Sequence, residues 1–118
     1  MEYISTRGDS ARYSAAEAIL KGIAPDGGLL VPAETPQLTL DEIAELAHLD
    51  YAGRAVRIIS LYLTDYTKSE LGEYVRAAYG EEQFIPGPAP LVQLNKYNDR
   101  EYILELWHGP TAAFKDMA

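Results

Sequence analysis

The chain has 118 residues and a mass of 13.1 kDa, with 47% of positions apolar and 24% charged, the composition of one globular domain with enough core to fold without staples. The absence of cysteine excludes disulfides and thiolate metal sites, no metal site is expected, and the cytoplasm is the simplest compartment. A formal net charge of −8 argues against nucleic-acid binding, which needs clustered Lys and Arg to displace counterions. The longest apolar stretch, Ile58 to Leu63, is far short of the roughly 20 residues that span a bilayer, and no membrane association is expected. Charge is mixed from Met1 to Arg7, without the apolar run of a secretory leader.

In chain order, Tyr3 to Ser5 predicts an extended segment. Ser14 followed three residues later by Glu17 is a capping box, predicting a helix through Ile19 and Leu20 that Gly22 closes. Pro25-Asp26-Gly27-Gly28 is turn chemistry, because Pro presets φ and Gly tolerates positive φ; it feeds a strand at Leu29 to Val31. Thr39 with Glu42 repeats the capping box, and Leu40, Ile43, Leu46 and Ala47 recur at helical spacing, which predicts a surface helix with one buried stripe. Gly53 to Asp65 is more evenly apolar, and its length favours helix over strand. Thr67 and Glu70 form a third capping box ahead of a stripe of Leu71, Tyr74, Val75, Ala78 and Tyr79 that ends at Gly80.

From Phe84 the character changes. Pro86-Gly87-Pro88-Ala89-Pro90 loses three backbone donors in five residues and reads as a connector. Leu91 to Leu94 and Tyr102 to Trp107 read as two strands joined through Asn98-Asp99, and Pro110 suits the first turn of a helix over residues 111–118. A helix that stops after one or two turns is a poor end for a domain, so the chain is expected to be cut short there.

The segment from His108 to Asp116 sets several polar side chains at a strand end, where open α/β folds place ligands. An isolated lysine is ordinarily a solvated surface residue. Behind Lys115, however, lie an apolar strand and Phe114, surroundings that would desolvate an amine and favour its nucleophilic form.

The run Glu105-Leu106-Trp107-His108-Gly109-Pro110-Thr111-Ala112-Ala113-Phe114-Lys115-Asp116 closely resembles the signature E-L-F-H-G-P-T-x-A-F-K-D of the threonine synthase family. Tyr3 to Gly8 resembles that family's N-terminal opening, and Gly22 to Pro32 resembles its G-L-A-P-D-G-G-L-Y-V-P segment. Trp107 and Leu30 depart from the pattern, where Phe and Tyr are usual, and both keep bulky apolar character. The resemblance implies an α/β chain: a small α+β N-terminal domain over residues 1–83, then over 84–118 a linker and the first strand and helix start of a fold-type-II catalytic domain dependent on pyridoxal 5′-phosphate (PLP). It implies a lyase of threonine biosynthesis that converts O-phospho-L-homoserine and water to L-threonine and phosphate, with Lys115 binding PLP covalently. A primary amine is required for that bond, and its flexible stem suits it to proton transfer as well.

The same resemblance gives Phe114 a place against the PLP ring, with ordinary core as the other reading. For the substrate it implies His108, Thr111, Asp116 and Arg7. Their alternatives are a backbone-bonded histidine, a helix cap, a group facing the helix dipole and a surface arginine, respectively. The nine glycines form no phosphate-binding loop, so the 118 residues alone are expected to bind PLP poorly, not to turn over, and to self-associate through apolar surface. Two other readings stay open: a related phospholyase that releases a keto acid and phosphate, and a non-catalytic interaction module.

Overall fold

The structure, a computed structural model, describes residues 1–95 and 98–117. The element order is β1 (Tyr3–Ser5), α1 (Ala15–Lys21), β2 (Leu30–Pro32), α2 (Leu40–Leu46), α3 (Tyr51–Ile59), α4 (Lys68–Tyr79), β3 (Leu91–Asn95), β4 (Asn98–Leu104) and a 3-10 turn (Phe114–Met117). Length alone suggests a single body, yet the chain divides into two compact units, Met1–Glu73 and the residues from Tyr74 onward.

In the first unit β1 pairs antiparallel with β2, Ile4 opposite Val31, and on its other side Tyr3 bridges to Tyr13. Tyr3, Ala15 and Ala18 form the core, with Tyr13, Leu30, Leu63 and Tyr66 packed around it. All three capping boxes are built. Ser14, Thr39 and Thr67 each accept the N–H of the glutamate three residues on, and Glu17, Glu42 and Glu70 each accept an N–H in return at 2.8–2.9 Å. Those reciprocal backbone bonds, then the capping hydroxyls, lower the pKa of each glutamate.

Helix α3 starts two residues earlier than the sequence indicates, because Asp50 caps it by accepting the Gly53 N–H at 2.7 Å; it ends at Ile59, and turns replace helix up to Asp65. Its Arg54 reaches back to the Leu46 carbonyl at 2.8 Å, closing α2 where no glycine does, and Arg57 pairs with Glu42 at 3.1 Å. The stripe expected to be buried on α2 is largely exposed, because α3 contacts α2 but leaves Leu40 84% and Ile43 50% exposed, and Leu46 is half-buried.

A single carboxylate organises the Pro25–Gly28 turn. Asp26 accepts the Ser5 hydroxyl at 2.7 and 2.8 Å, the Gly28 N–H at 2.9 Å and the Asp9 N–H at 3.1 Å. The Ser5 bond, followed by the Gly28 N–H, lowers its pKa against a smaller opposing effect of burial. Gly28 has no room for a side chain, because a Cβ there would lie 2.1 Å from Ser5 Oγ, and Ser5 is itself buried.

In the second unit the end of α4 leads through Phe84, buried beside Tyr79 with ring centroids 5.9 Å apart, into the irregular proline-rich connector. Strands β3 and β4 pair antiparallel from Leu91 opposite Leu104 to Asn95 opposite Asn98. The hairpin's link therefore falls at residues 96–97, outside the described residues, and Asn98-Asp99 opens β4 rather than making the turn. β4 ends at Leu104, three residues before the predicted end at Trp107.

Gly28→Ala is expected to destabilise the first unit by about 1–3 kcal/mol, the usual cost of forcing volume into a filled site, as read by chemical denaturation. The depressed pKa of Asp26 means that its contribution is complete above the ordinary carboxylate pKa of 3.8 and is lost as pH falls through its lower folded value. Asp26→Asn is therefore expected to lower the melting temperature at neutral pH and to flatten its decline below about pH 4, followed by thermal melting against pH.

Candidate active site

The segment after β4 is shaped by local bonds. The Glu105 N–H donates to the Pro90 carbonyl at 3.0 Å, which fixes the exit of the hairpin. Beyond it the predicted helix over 111–118 does not form. Ala112 has a φ of +54°, which α-helix does not permit, and a 3-10 turn begins only at Phe114. Pro110 thus precedes a turn, with the Ala112 N–H donating to the Gly109 carbonyl at 3.1 Å.

Asp116 closes this loop. Its carboxylate accepts the Thr111 N–H at 2.8 Å and the Thr111 hydroxyl at 2.5 Å; the hydroxyl bond, then the backbone bond, lowers its pKa while burial opposes. Asp116 thus bonds to its neighbour Thr111 and faces no α-helix dipole, and Thr111 caps no helix among the described residues. Gly109 permits the closure, because a Cβ there would lie 2.5 Å from both Cβ and Oδ2 of Asp116. Behind the loop, the Tyr79 hydroxyl donates to the Met117 carbonyl at 3.0 Å.

Lys115 stands on the 3-10 turn with its side chain exposed and, among the described residues, without a hydrogen bond or ion pair. Phe114 beside it is 67% exposed, so it is not core in this chain. The apolar, desolvating surroundings expected for the amine are likewise not built by these residues, because β3 and most of β4 are themselves exposed. Among the described residues the His108 side chain makes no bond to backbone. Its Nε2 lies 2.5 Å from Oε2 of Glu105, and the Trp107 ring flanks it at 5.7 Å between centroids. Glu105 was not singled out by sequence reasoning, since a pair three residues apart is expected to meet only on a helix and this segment is not one.

The second unit thus brings together His108, Thr111, Phe114, Lys115 and Asp116 within one loop, whereas Arg7 belongs to the first unit. There its guanidinium donates to the Asp26 carbonyl at 3.2 Å, is exposed and forms no ion pair among the described residues.

Short helices and small antiparallel sheets leading to a lysine-bearing loop make this an α/β chain. Residues 2–79 match the family model described as the threonine synthase N terminus, and the chain belongs to the threonine synthase family. It is 40% identical to threonine synthase of Pseudomonas aeruginosa over 100% of its own length and 24% of that protein, and 40% identical to the Schizosaccharomyces pombe enzyme over 100% and 23%. The crystal structure of PLP-bound threonine synthase from Brucella melitensis superposes with a TM-score of 0.85 at 37% identity, covering 98% of this chain and 24% of that one. The chain spans about a quarter of the length of the curated relatives it matches. Among the described residues no helix is long and apolar enough to cross a membrane.

Asp116→Ala and Gly109→Ala are each expected to open the loop, the first by removing the acceptor and the second by displacing it. Hydrogen exchange at the Thr111 amide should accelerate about tenfold or more in both, as befits the loss of its one strong local bond.

Proposed function

We propose that this chain carries the cofactor lysine of a PLP-dependent lyase that converts O-phospho-L-homoserine and water to L-threonine and phosphate. The observation that carries the reading is an exposed amine at Lys115, unpaired among the described residues and held on a closed turn within a run that resembles the threonine synthase signature. The residues present fit one end of PLP. Lys115 Nζ is free for the covalent bond, and the exposed Phe114 ring lies next to it to cover one side of an aromatic cofactor. At the phosphate end they offer little, because the N–H groups of Thr111, Ala112 and Asp116 are already taken by acceptors within the loop.

When bound, PLP supplies the electron sink for breaking bonds at the substrate carbons. Lys115 Nζ would hold PLP through its amine and, when not so bonded, would accept and return protons at those carbons. Arg7 and His108 suit the anionic phosphate and carboxylate of the substrate, whereas Thr111, whose one hydroxyl proton goes to Asp116, can meet the substrate only as an acceptor. Asp116 serves by holding Thr111, since a carboxylate set against a dianionic phosphate would repel it.

Residues 1–83 then form the N-terminal domain and 84–118 the connector and start of the catalytic domain, in a cytoplasmic enzyme. The 118 residues by themselves are inactive in this reading and self-associate through apolar side chains such as Leu20, Leu40 and Phe114. Treating the full-length protein with PLP and borohydride should leave a reduced adduct on Lys115, and Lys115→Ala should abolish turnover. An adduct on Lys68 or Lys96 instead overturns the assignment. Threonine as the co-product of phosphate supports the synthase reaction, and a keto acid supports the phospholyase.

A further inference from the structure

The Glu105–His108 pair answers no need of the fold that the sequence makes visible. The segment is neither helix nor strand, so no regular periodicity brings the two side chains together, and both are largely withdrawn from water at 22% and 20% exposure. Oε2 and Nε2 lie 2.5 Å apart, within hydrogen-bond reach, at a site where bulk water competes less than at a fully exposed one. The bond also has a direction. A carboxylate at neutral pH holds no proton and can only accept, so the proton of a neutral imidazole must reside on Nε2. The lone pair is then on Nδ1, the opposite edge of the ring.

Two further contacts keep the ring from turning. The Glu105 N–H is tied to the Pro90 carbonyl at 3.0 Å, which anchors the carboxylate's own backbone, and the Trp107 ring lies against the imidazole at an interplanar angle of 32°. On the other side of His108, the Gly109 turn is closed by Asp116. The imidazole is therefore fixed from both sides, seven residues before Lys115.

We propose that Glu105 is a positioning residue that fixes His108 as its Nε2–H tautomer and presents Nδ1 as the ring's single proton acceptor. For the ligand, this assigns the Nδ1 edge to a hydroxyl, ammonium or water donor while the ring is neutral, and to an anionic oxygen once the ring is protonated. That last clause alone rests on the proposed lyase reading.

The test uses the full-length protein labelled with 15N-histidine, with His108 assigned by its loss in His108→Asn. At about pH 8.5, where an ordinary imidazole is neutral, unmodified protein should show a protonated Nε2 with a slowly exchanging downfield proton and an unprotonated Nδ1. In Glu105→Ala that proton signal should be lost to exchange with water. Glu105→Gln, whose amide oxygen still accepts, should retain the tautomer with a weaker downfield shift. A protonated Nδ1 in unmodified protein, or an unchanged Nε2–H signal in Glu105→Ala, overturns the proposal.

In the turnover arm, Glu105→Ala should lower kcat roughly ten- to hundredfold, the range seen when the carboxylate behind a metal-bound imidazole is removed, with partial recovery in Glu105→Gln. Borohydride labelling of Lys115 should be unchanged in both. Activity of Glu105→Ala within about twofold of the parent would refute the positioning role. Failure of Lys115 to label in the unmodified enzyme would instead refute the lyase reading and leave the tautomer measurement standing.

Discussion

Short elements leave many backbone N–H groups without a partner, since the first turn of every helix and every tight turn contributes its own. The dominant constraint on this chain is how those donors are satisfied, and carboxylates do much of it. Glu17, Glu42 and Glu70 accept at N-caps, Asp50 caps α3, and Asp65 accepts the Ala16 N–H at the start of α1. Asp9, Asp26 and Asp116 hold turns in the same way. A net charge of −8 thus records more than solvation, because a substantial part of the acidic excess is spent on the backbone itself.

Where bonding is local, the sequence was legible. The three capping boxes fall on Ser14, Thr39 and Thr67 as their spacing indicates, and Gly22 closes α1, its N–H donating to the Ala18 carbonyl. The Asp50 cap was missed because no glutamate follows it at the third position, and the C-terminus of α2 because its cap is Arg54 from the next helix. The hairpin was displaced because Asn98-Asp99 has turn chemistry but the register places Asn98 opposite Asn95. The stripe on α2 was read correctly as a stripe and incorrectly as buried, since periodicity identifies which side chains share a face and not what covers them.

The candidate site was legible as a motif and only partly as geometry. Lys115 lies on a turn rather than an α-helix, because Ala112 occupies the left-handed region and Asp116 bonds back to Thr111 instead of projecting along a helix axis. The closure is economical in atoms, with one carboxylate, one threonine and the bare α-carbon of Gly109. The Glu105–His108 pair forms on irregular backbone past the end of β4, where neither the helical nor the strand period brings residues three apart together, and no spacing rule announces it.

Tyr79 lies at the end of α4, and its hydroxyl bonds to the carbonyl of Met117, two residues past the lysine. In chain terms the two are 38 positions apart, but mechanically a replacement at Tyr79 is a change to the backing of the lysine-bearing turn. Sorting variants by sequence window would file such a change with the helices of the N-terminal half. Its consequences belong with the loop that ends at Met117.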